Sequence, residues 1–421
     1  MTIRQLQIHC SRTEAAMRQE TEARRHKNVV YFKRGELDWV LQLTLGAAAS
    51  DGAAIGEVFY AASRVKESER ELGSWIAEWT GLGERIEAVA ADCLARGHRV
   101  SGREAFLRAF NYHRVAAYMI RVHDPSYPAA VARFRRCFQR AAELFDPPFE
   151  PVAIECEGSQ LPGYFIQPGG SRQPRPTLIF VGGGESFAEE IYLWVGPAAL
   201  KRGYNLLALD LPGQGITALE GVKYRADVEV PISAAIDHLL TRPDVDPNRI
   251  VAAGVSYGGY ATLRAASYER RLAAIAASTP LLDFQRLILE NAPWLSKVPA
   301  FAGEAAFGLL GRIDPFAMIV YEKFTSAVGV EKPSDALTAF RDWVVEVEKI
   351  TCPVLCMVGE GEHASFQWQA RTAYERLAAR GKTLRVFRLH EGADAHTQSN
   401  NFPLATQVVF DWFDELPRSE K

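Results

Sequence analysis

A chain of 421 residues that is 48% hydrophobic and 24% charged, with a formal net charge of −3, has the composition of a globular protein large enough for two or more structural units. The near-neutral balance leaves no electrostatic footprint for nucleic acid, and no apolar run approaches the roughly 20 residues of a membrane span. Met-Thr-Ile-Arg-Gln-Leu-Gln at the start lacks a signal-peptide apolar region, so a cytoplasmic location without a membrane partner is expected. Cys352 and Cys356 fall at i, i+4 of one predicted strand, about 13 Å apart and beyond disulfide reach, which suits a reducing compartment.

Residues 1 to 145 are almost free of strand patterns. Trp75 to Leu94, Ser101 to Val115 and Tyr127 to Phe145 read as successive amphipathic helices, with no second copy at a fixed period that would indicate a repeat array. Asp146-Pro-Pro-Phe-Glu-Pro151 breaks the pattern, and the period changes to that of strands at Val152 to Cys156 and Leu161 to Ile166. The chain therefore divides into a helical cap domain, residues 1–150, and a catalytic domain, residues 151–421. Cap aromatics such as Phe110 and Tyr112 are expected to bear on substrate choice.

Pro176 to Val181 is an apolar strand that runs into Gly182-Gly-Gly-Glu-Ser186. Such a loop lets backbone N–H groups face a developing oxyanion without side chains in the way. Gly183 or Gly184 is the expected donor, with the Tyr257 amide as the other half. No Lys-Ser/Thr follows and no Gly-x-Gly-x-x-Gly spacing is present, so a phosphate-binding reading is set aside. A further buried strand, Tyr204 to Asp210, ends in Leu-Pro-Gly-Gln-Gly215. After the helix Ile232 to Leu240 and the turn cluster Thr241 to Asn248 comes the β-branched run from Arg249, then Gly254-Val-Ser-Tyr-Gly258, then an Ala-rich helix, Tyr260 to Tyr268. Strand, Gly-x-Ser-x-Gly and helix in that order form the signature of a nucleophile elbow. Its serine, here Ser256, sits on a turn too tight for a Cβ two residues either side.

Residues 281–347 contain helix-like runs rich in Phe, Leu and Trp but no clear strand, and they read as a lid insertion over the serine that favours an apolar or aromatic small-molecule substrate. Cys352 to Val358 is a strand that exits into Gly359-Glu-Gly-Glu362. Glu362 falls where an elbow enzyme places its carboxylate, with Glu360 and Asp394 as alternatives. Leu384 to Leu389 is the last strand, and the loop beyond it carries His396, the expected general base; His390 and His363 are the runners-up. The order serine, carboxylate, histidine is that of a Ser256–Glu362–His396 triad.

Four stretches together resemble one α/β-hydrolase group: Gly97 to Tyr112, the Gly-rich loop with its Glu-Ser and Glu-Glu over 182–190, Gly254 to Tyr260, and Gly392-Ala-Asp-Ala-His396. The group includes 2,6-dihydroxypseudooxynicotine hydrolase, fungal polyketide-shortening hydrolases and fermentation-respiration switch proteins. The resemblance spans most of the chain from about residue 70. It implies an α/β-hydrolase core, with a mostly parallel, doubly wound sheet, under a helical N-terminal cap and a helical lid. It also implies a homodimer and, often, cleavage of a C–C bond beside a carbonyl in an aromatic or polyketide substrate. Carried over, the nucleophile falls on Ser256, the base on His396 and the acid on Glu362, where Asp is the commoner occupant. No cofactor or metal is implied. Because the group also holds ester and amide hydrolases and acyl-transfer enzymes, an acyltransferase, a carboxylesterase or amidase, and a non-catalytic binding protein stand as alternatives to a C–C-cleaving serine hydrolase.

Overall fold

The computed structural model describes residues 30–66, 71–170, 173–291, 315–330, 335 and 338–417. Among the described residues five α-helices precede the first strand: α1 (Gly35–Gly46), α2 (Ile55–Arg64), α3 (Glu71–Ala95), α4 (Arg99–Tyr118) and α5 (Tyr127–Ala142). Helix α5 stops at Ala142, three residues short of the sequence expectation, and the Ala142 carbonyl accepts the Phe149 N–H at 3.1 Å across the Asp146-Pro-Pro turn. That turn cannot continue a helix, since two successive prolines lack the N–H and bias the residue before them to extended backbone.

Phe110 and Tyr112 lie in the interior of this helical region, both fully buried. The Phe110 ring stands 5.9 Å from that of Phe134 and 5.2 Å from that of Phe138, and the Tyr112 hydroxyl donates to Glu57 at 2.7 Å and accepts from the Ala54 N–H at 2.9 Å. They hold helices together. Helix α4 is buried on nearly every side, so its apolar period does not mark which face meets a ligand. Phe110→Ala is accordingly expected to cost about 3–5 kcal/mol of stability. The thermal midpoint measures this, and an unchanged midpoint with altered substrate preference would place the ring in a binding site instead.

The helical region packs on one face of an eight-stranded sheet of order β1-β2-β4-β3-β5-β6-β7-β8. Strands β1 (Glu150–Cys156) and β2 (Ser159–Ile166) form a hairpin whose two-residue turn, Glu157-Gly158, has φ of 50° and 80°, the left-handed pair that a tight hairpin uses. Strand β2 pairs antiparallel with β4 (Asn205–Leu209); from β4 through β3 (Arg175–Val181), β5 (Val245–Val255), β6 (Ala274–Ser278), β7 (Val354–Gly359) and β8 (Lys382–Phe387) all pairings are parallel. Central parallel strands are buried on both faces, which is why Leu178–Val181, Leu206–Leu209, Ile250–Ala253, Ala274–Ala277 and Val354–Val358 read as unbroken apolar runs. Strand β5 starts at Val245, ahead of the expected Arg249: Val245 pairs with Arg175 and Ile250 with Thr177, so residues 246–249 bulge out of the ladder.

Helices α6 (Ala188–Lys201) and α13 (Phe402–Glu415) share the sheet face of α1–α5, and one apolar cluster runs from Phe32 to Phe413. The short α7 (Gly215–Leu219) follows β4. Helices α8 (Glu229–Leu240), α9 (Tyr257–Tyr268), α10 (Phe284–Asn291) and α12 (Ala364–Arg376) cover the opposite face, and α11 (Pro315–Val328) lies within the insertion between β6 and β7. The insertion aromatics Phe284 and Trp343 are buried against Tyr260 of α9, with rings 5.2 and 5.4 Å from it, and Phe340 is buried against both of them at 5.5 and 5.0 Å, so these three anchor the insertion to the core. Residues 292–314 of the expected lid lie outside the described residues. Among the described residues no helix is long and apolar enough to cross a membrane.

Candidate active site

Strand β5 passes into α9 through Ser256, whose φ of 56° and ψ of −114° are strained for a residue with a side chain. The turn closes tightly. A Cβ on Gly254 would lie 2.1 Å from the Gly258 carbonyl, and one on Gly258 2.1 Å from that of Val181, which is why both positions must be glycine. Ser256 is half-buried, its N–H donates to the Ser278 carbonyl at 2.9 Å, and the Tyr257 N–H is the first of α9, without an acceptor inside the helix.

The loop after β3 lies beside this turn: a Cβ on Gly183 would stand 3.8 Å from that of Ser256. Its carbonyls are held by surrounding side chains. Gln214 Nε2 donates to Gly182 O at 3.0 Å and to Gly183 O at 2.7 Å, Ser186 Oγ donates to Gly183 O at 2.7 Å, and the Tyr224 hydroxyl donates to Gly184 O. At Glu185 two helical segments converge. Arg114 of α4 donates to its carbonyl at 2.8 Å, Tyr118 donates to its carboxylate, and Lys323 of α11 stands 3.7 Å from that carboxylate. Burial pulls the Lys323 ammonium down to about 8.

Beyond β7, the chain turns at Gly359 so that Glu362 folds back on its own loop, accepting the Gly359 N–H at 2.8 Å. The carboxylate is fully buried and satisfied by three donors. Besides Gly359, the Thr279 hydroxyl reaches its oxygens at 2.8 and 3.0 Å, and His396 Nδ1 lies 2.9 Å from Oε2. With the carboxylate oxygen as acceptor, Nδ1 is the donor of this contact and Nε2 is the ring nitrogen that Glu362 does not engage. The Phe366 ring, 5.1 Å away at 30°, packs on the imidazole. Gly359 also lets the histidine loop pass, since a Cβ there would meet the Asp394 carbonyl at 2.1 Å.

The end of β6 joins these loops. The Ser278 carbonyl takes the Ser256 N–H, the Ser278 hydroxyl donates to Gln398 at 2.7 Å two residues after His396, and Thr279 binds Glu362. Of the residues singled out in the sequence, Glu362 and His396 are therefore in contact, with Ser256 and Gly183 beside one another and tied to them through Ser278 and Thr279. The alternatives fall elsewhere. Glu360 bonds the Leu389 N–H at 2.7 Å and Arg388 at 3.2 Å; His363 lies against Ser365 at the start of α12, 2.8 Å from its hydroxyl; His390 is exposed; Asp394 is buried, takes Asn400 Nδ2 at 3.3 Å and packs against Gly361. Sequence reasoning passed over Thr279, Gln398 and Gln214. The only local signals are a polar Ser-Thr pair closing an apolar strand and a glutamine between two glycines.

Among the described residues one other cluster brings metal-binding atom types together: Glu87, His113 and Cys137, within 4.8 Å of one another. The Arg133 guanidinium, 2.6 Å from Glu84 and 3.4 Å from Glu87, already balances that carboxylate, and burial lifts the Cys137 thiol to about 12, so the donors suit a hydrogen-bonded core cluster better than a cation.

Residues 168–403 match the Alpha/beta hydrolase family. The chain is 32% identical to the alpha/beta hydrolase gkaG of Penicillium citrinum over 360 residues, covering 77% of this chain and 81% of that one. It is 28% identical to 20-hydroxy-prefusarin hydrolase FUS2 of Gibberella moniliformis over 401 residues, covering 88% and 94%. The crystal structure of 2,6-dihydroxy-pseudo-oxynicotine hydrolase superposes with a TM-score of 0.69 over 88% of this chain and 95% of that one, at 24% identity, and so shares its fold. With an eight-stranded sheet of this order and a matching profile across its core, the chain belongs to the alpha/beta hydrolase family. It is an enzyme of the hydrolase type, built on a mostly parallel sheet with a helical N-terminal region.

Proposed function

We propose that this chain is a serine hydrolase that cleaves a C–C bond beside a carbonyl, or an ester, in an aromatic or polyketide-like small molecule. The observation that carries the reading is the 2.9 Å contact of His396 Nδ1 with the buried Glu362, on loops that β6 ties to the strained Ser256 turn. Ser256 Oγ adds to the carbonyl carbon and its proton passes to His396 Nε2. Glu362 holds the imidazole in this tautomer and stabilises the imidazolium. The N–H of Gly183 or Gly184 and that of Tyr257 bind the alkoxide. In a 1,3-dicarbonyl substrate the bond to the α-carbon then breaks, and its electron pair leaves as the enolate of the second carbonyl, which takes the proton from His396; in an ester the leaving alkoxide takes that proton. Water, activated by the same histidine, then releases the acid from Ser256.

The names of the fungal relatives, a 20-hydroxy-prefusarin hydrolase among them, support a small-molecule substrate from secondary metabolism. In this reading residues 1–150 form a cap and 281–347 a lid, and the meeting of α4 and α11 at Glu185, directly after the Gly183-Gly184 pair, supports it. A panel of β-diketones, aryl ketones and aryl esters tests the substrate class. The expected result is turnover of an aryl β-diketone or ester that disappears in Ser256→Ala. Turnover that survives the substitution, or none across the panel with an enzyme that a fluorophosphonate labels, would overturn the nucleophile or the substrate class respectively.

A further inference from the structure

Three successive glycines have more backbone freedom than any other tripeptide, so nothing within Gly182-Gly183-Gly184 itself decides where its amides point. The decision comes from outside. Gln214 is 1% exposed, and each half of its carboxamide is used: Oε1 accepts the Leu211 N–H at 3.2 Å, while Nε2 bridges Gly182 O at 3.0 Å and Gly183 O at 2.7 Å. The turn that presents it is anchored in its turn. Asp210 accepts the N–H of Ala188 at 2.7 Å and of Ile216 at 2.9 Å, and the Thr217 hydroxyl donates to Leu211 O at 2.8 Å and Gln214 O at 2.7 Å.

In a trans peptide the C=O of one residue and the N–H of the next point in opposite directions. With the carbonyls of Gly182 and Gly183 both drawn onto Gln214, the N–H groups of Gly183 and Gly184 are turned away from it. Gly183 is also the residue that abuts Ser256. Resting on the reading of Ser256 as nucleophile, we propose that Gln214 is a positioning residue that aims the Gly183 and Gly184 amides at the oxyanion. It touches no substrate; its effect is confined to the state in which charge develops on the former carbonyl oxygen.

Gln214→Glu keeps the side-chain length and the acceptor for Leu211 but sets a carboxylate oxygen against two carbonyls. Gln214→Met keeps the volume and removes both donors, and serves where the charged variant does not fold; circular dichroism and thermal melting establish folding for each. With p-nitrophenyl acetate, kcat is expected to fall about 10²-fold with KM within about threefold. Affinity for an aryl trifluoromethyl ketone, whose hemiketal adduct with Ser256 carries the oxyanion, is expected to fall by the same factor as kcat/KM, while affinity for the matching unreactive alcohol stays constant. Folded variants that keep wild-type kcat and ketone affinity, or that lose ketone and alcohol affinity equally, overturn the positioning role. A wild-type enzyme that turns over ester yet forms no ketone adduct on Ser256 overturns instead the nucleophile reading on which it rests.

Discussion

Replacing Ser256 by alanine is expected to lower kcat about 10⁴-fold or more on any substrate the enzyme accepts, because the members of a triad act as one unit and little is gained from the others once the nucleophile is gone. The fold should survive. The Ser256 hydroxyl caps no backbone N–H of α9, and alanine meets the same left-handed φ of 56° as serine, so the strain of the turn is unchanged and the thermal midpoint should shift by only a few degrees. Steady-state kinetics beside a melting curve separates the two effects. A folded Ser256→Ala enzyme within tenfold of the wild type would mean that another group attacks.

His396→Ala should do comparable damage, about 10⁴-fold in kcat, since it removes both the acceptor of the serine proton and the donor to the leaving group. Glu362→Gln is gentler, about 10²- to 10⁴-fold: the amide still fills the site between Thr279, Gly359 and His396, but the charge facing the imidazolium is lost and the amide N–H₂ competes for the same contacts. Asp394→Asn and Glu360→Gln are expected to stay within severalfold of the wild type, because Glu362 already occupies His396 Nδ1, Asp394 takes the Asn400 amide and Glu360 bonds Leu389 and Arg388. A silent Glu362→Gln beside a severe Asp394→Asn would move the acid to Asp394 and leave Ser256 and His396 in place.

The parts legible from sequence share one property: their signal is local. An apolar strand that ends in Gly-x-Ser-x-Gly announces a tight turn because the clash at Gly254 and Gly258 lies within five residues and the neighbouring strand. Glu362 and His396 each stand in the loop after a recognisable strand, and their contact spans 34 residues. The residues that were missed take their meaning from partners far along the chain. Gln214 acts on carbonyls 31 and 32 residues away, and Thr279 on a carboxylate 83 residues away, and the glutamine between two glycines and the threonine closing a strand give no sign of those partners. The packing of Phe110 and Tyr112 is unreadable for the opposite reason: on α4 the apolar side chains point almost all round, so period alone does not separate a packing face from a binding face. The bulge at 246–249 was unreadable too, since Val245 pairs with Arg175 across the sheet while its own neighbours spell a turn.

The most direct measurement is mass spectrometry of the enzyme after reaction with an alkyl fluorophosphonate, in which the phosphorus bonds to the attacking oxygen and fluoride leaves. A single adduct on the peptide carrying Ser256 is expected, formed in step with loss of esterase activity, absent in Ser256→Ala and much slower in His396→Ala. Activity that persists with Ser256 fully modified, or that is lost through an adduct on a different residue, would contradict the assignment of Ser256 as the nucleophile.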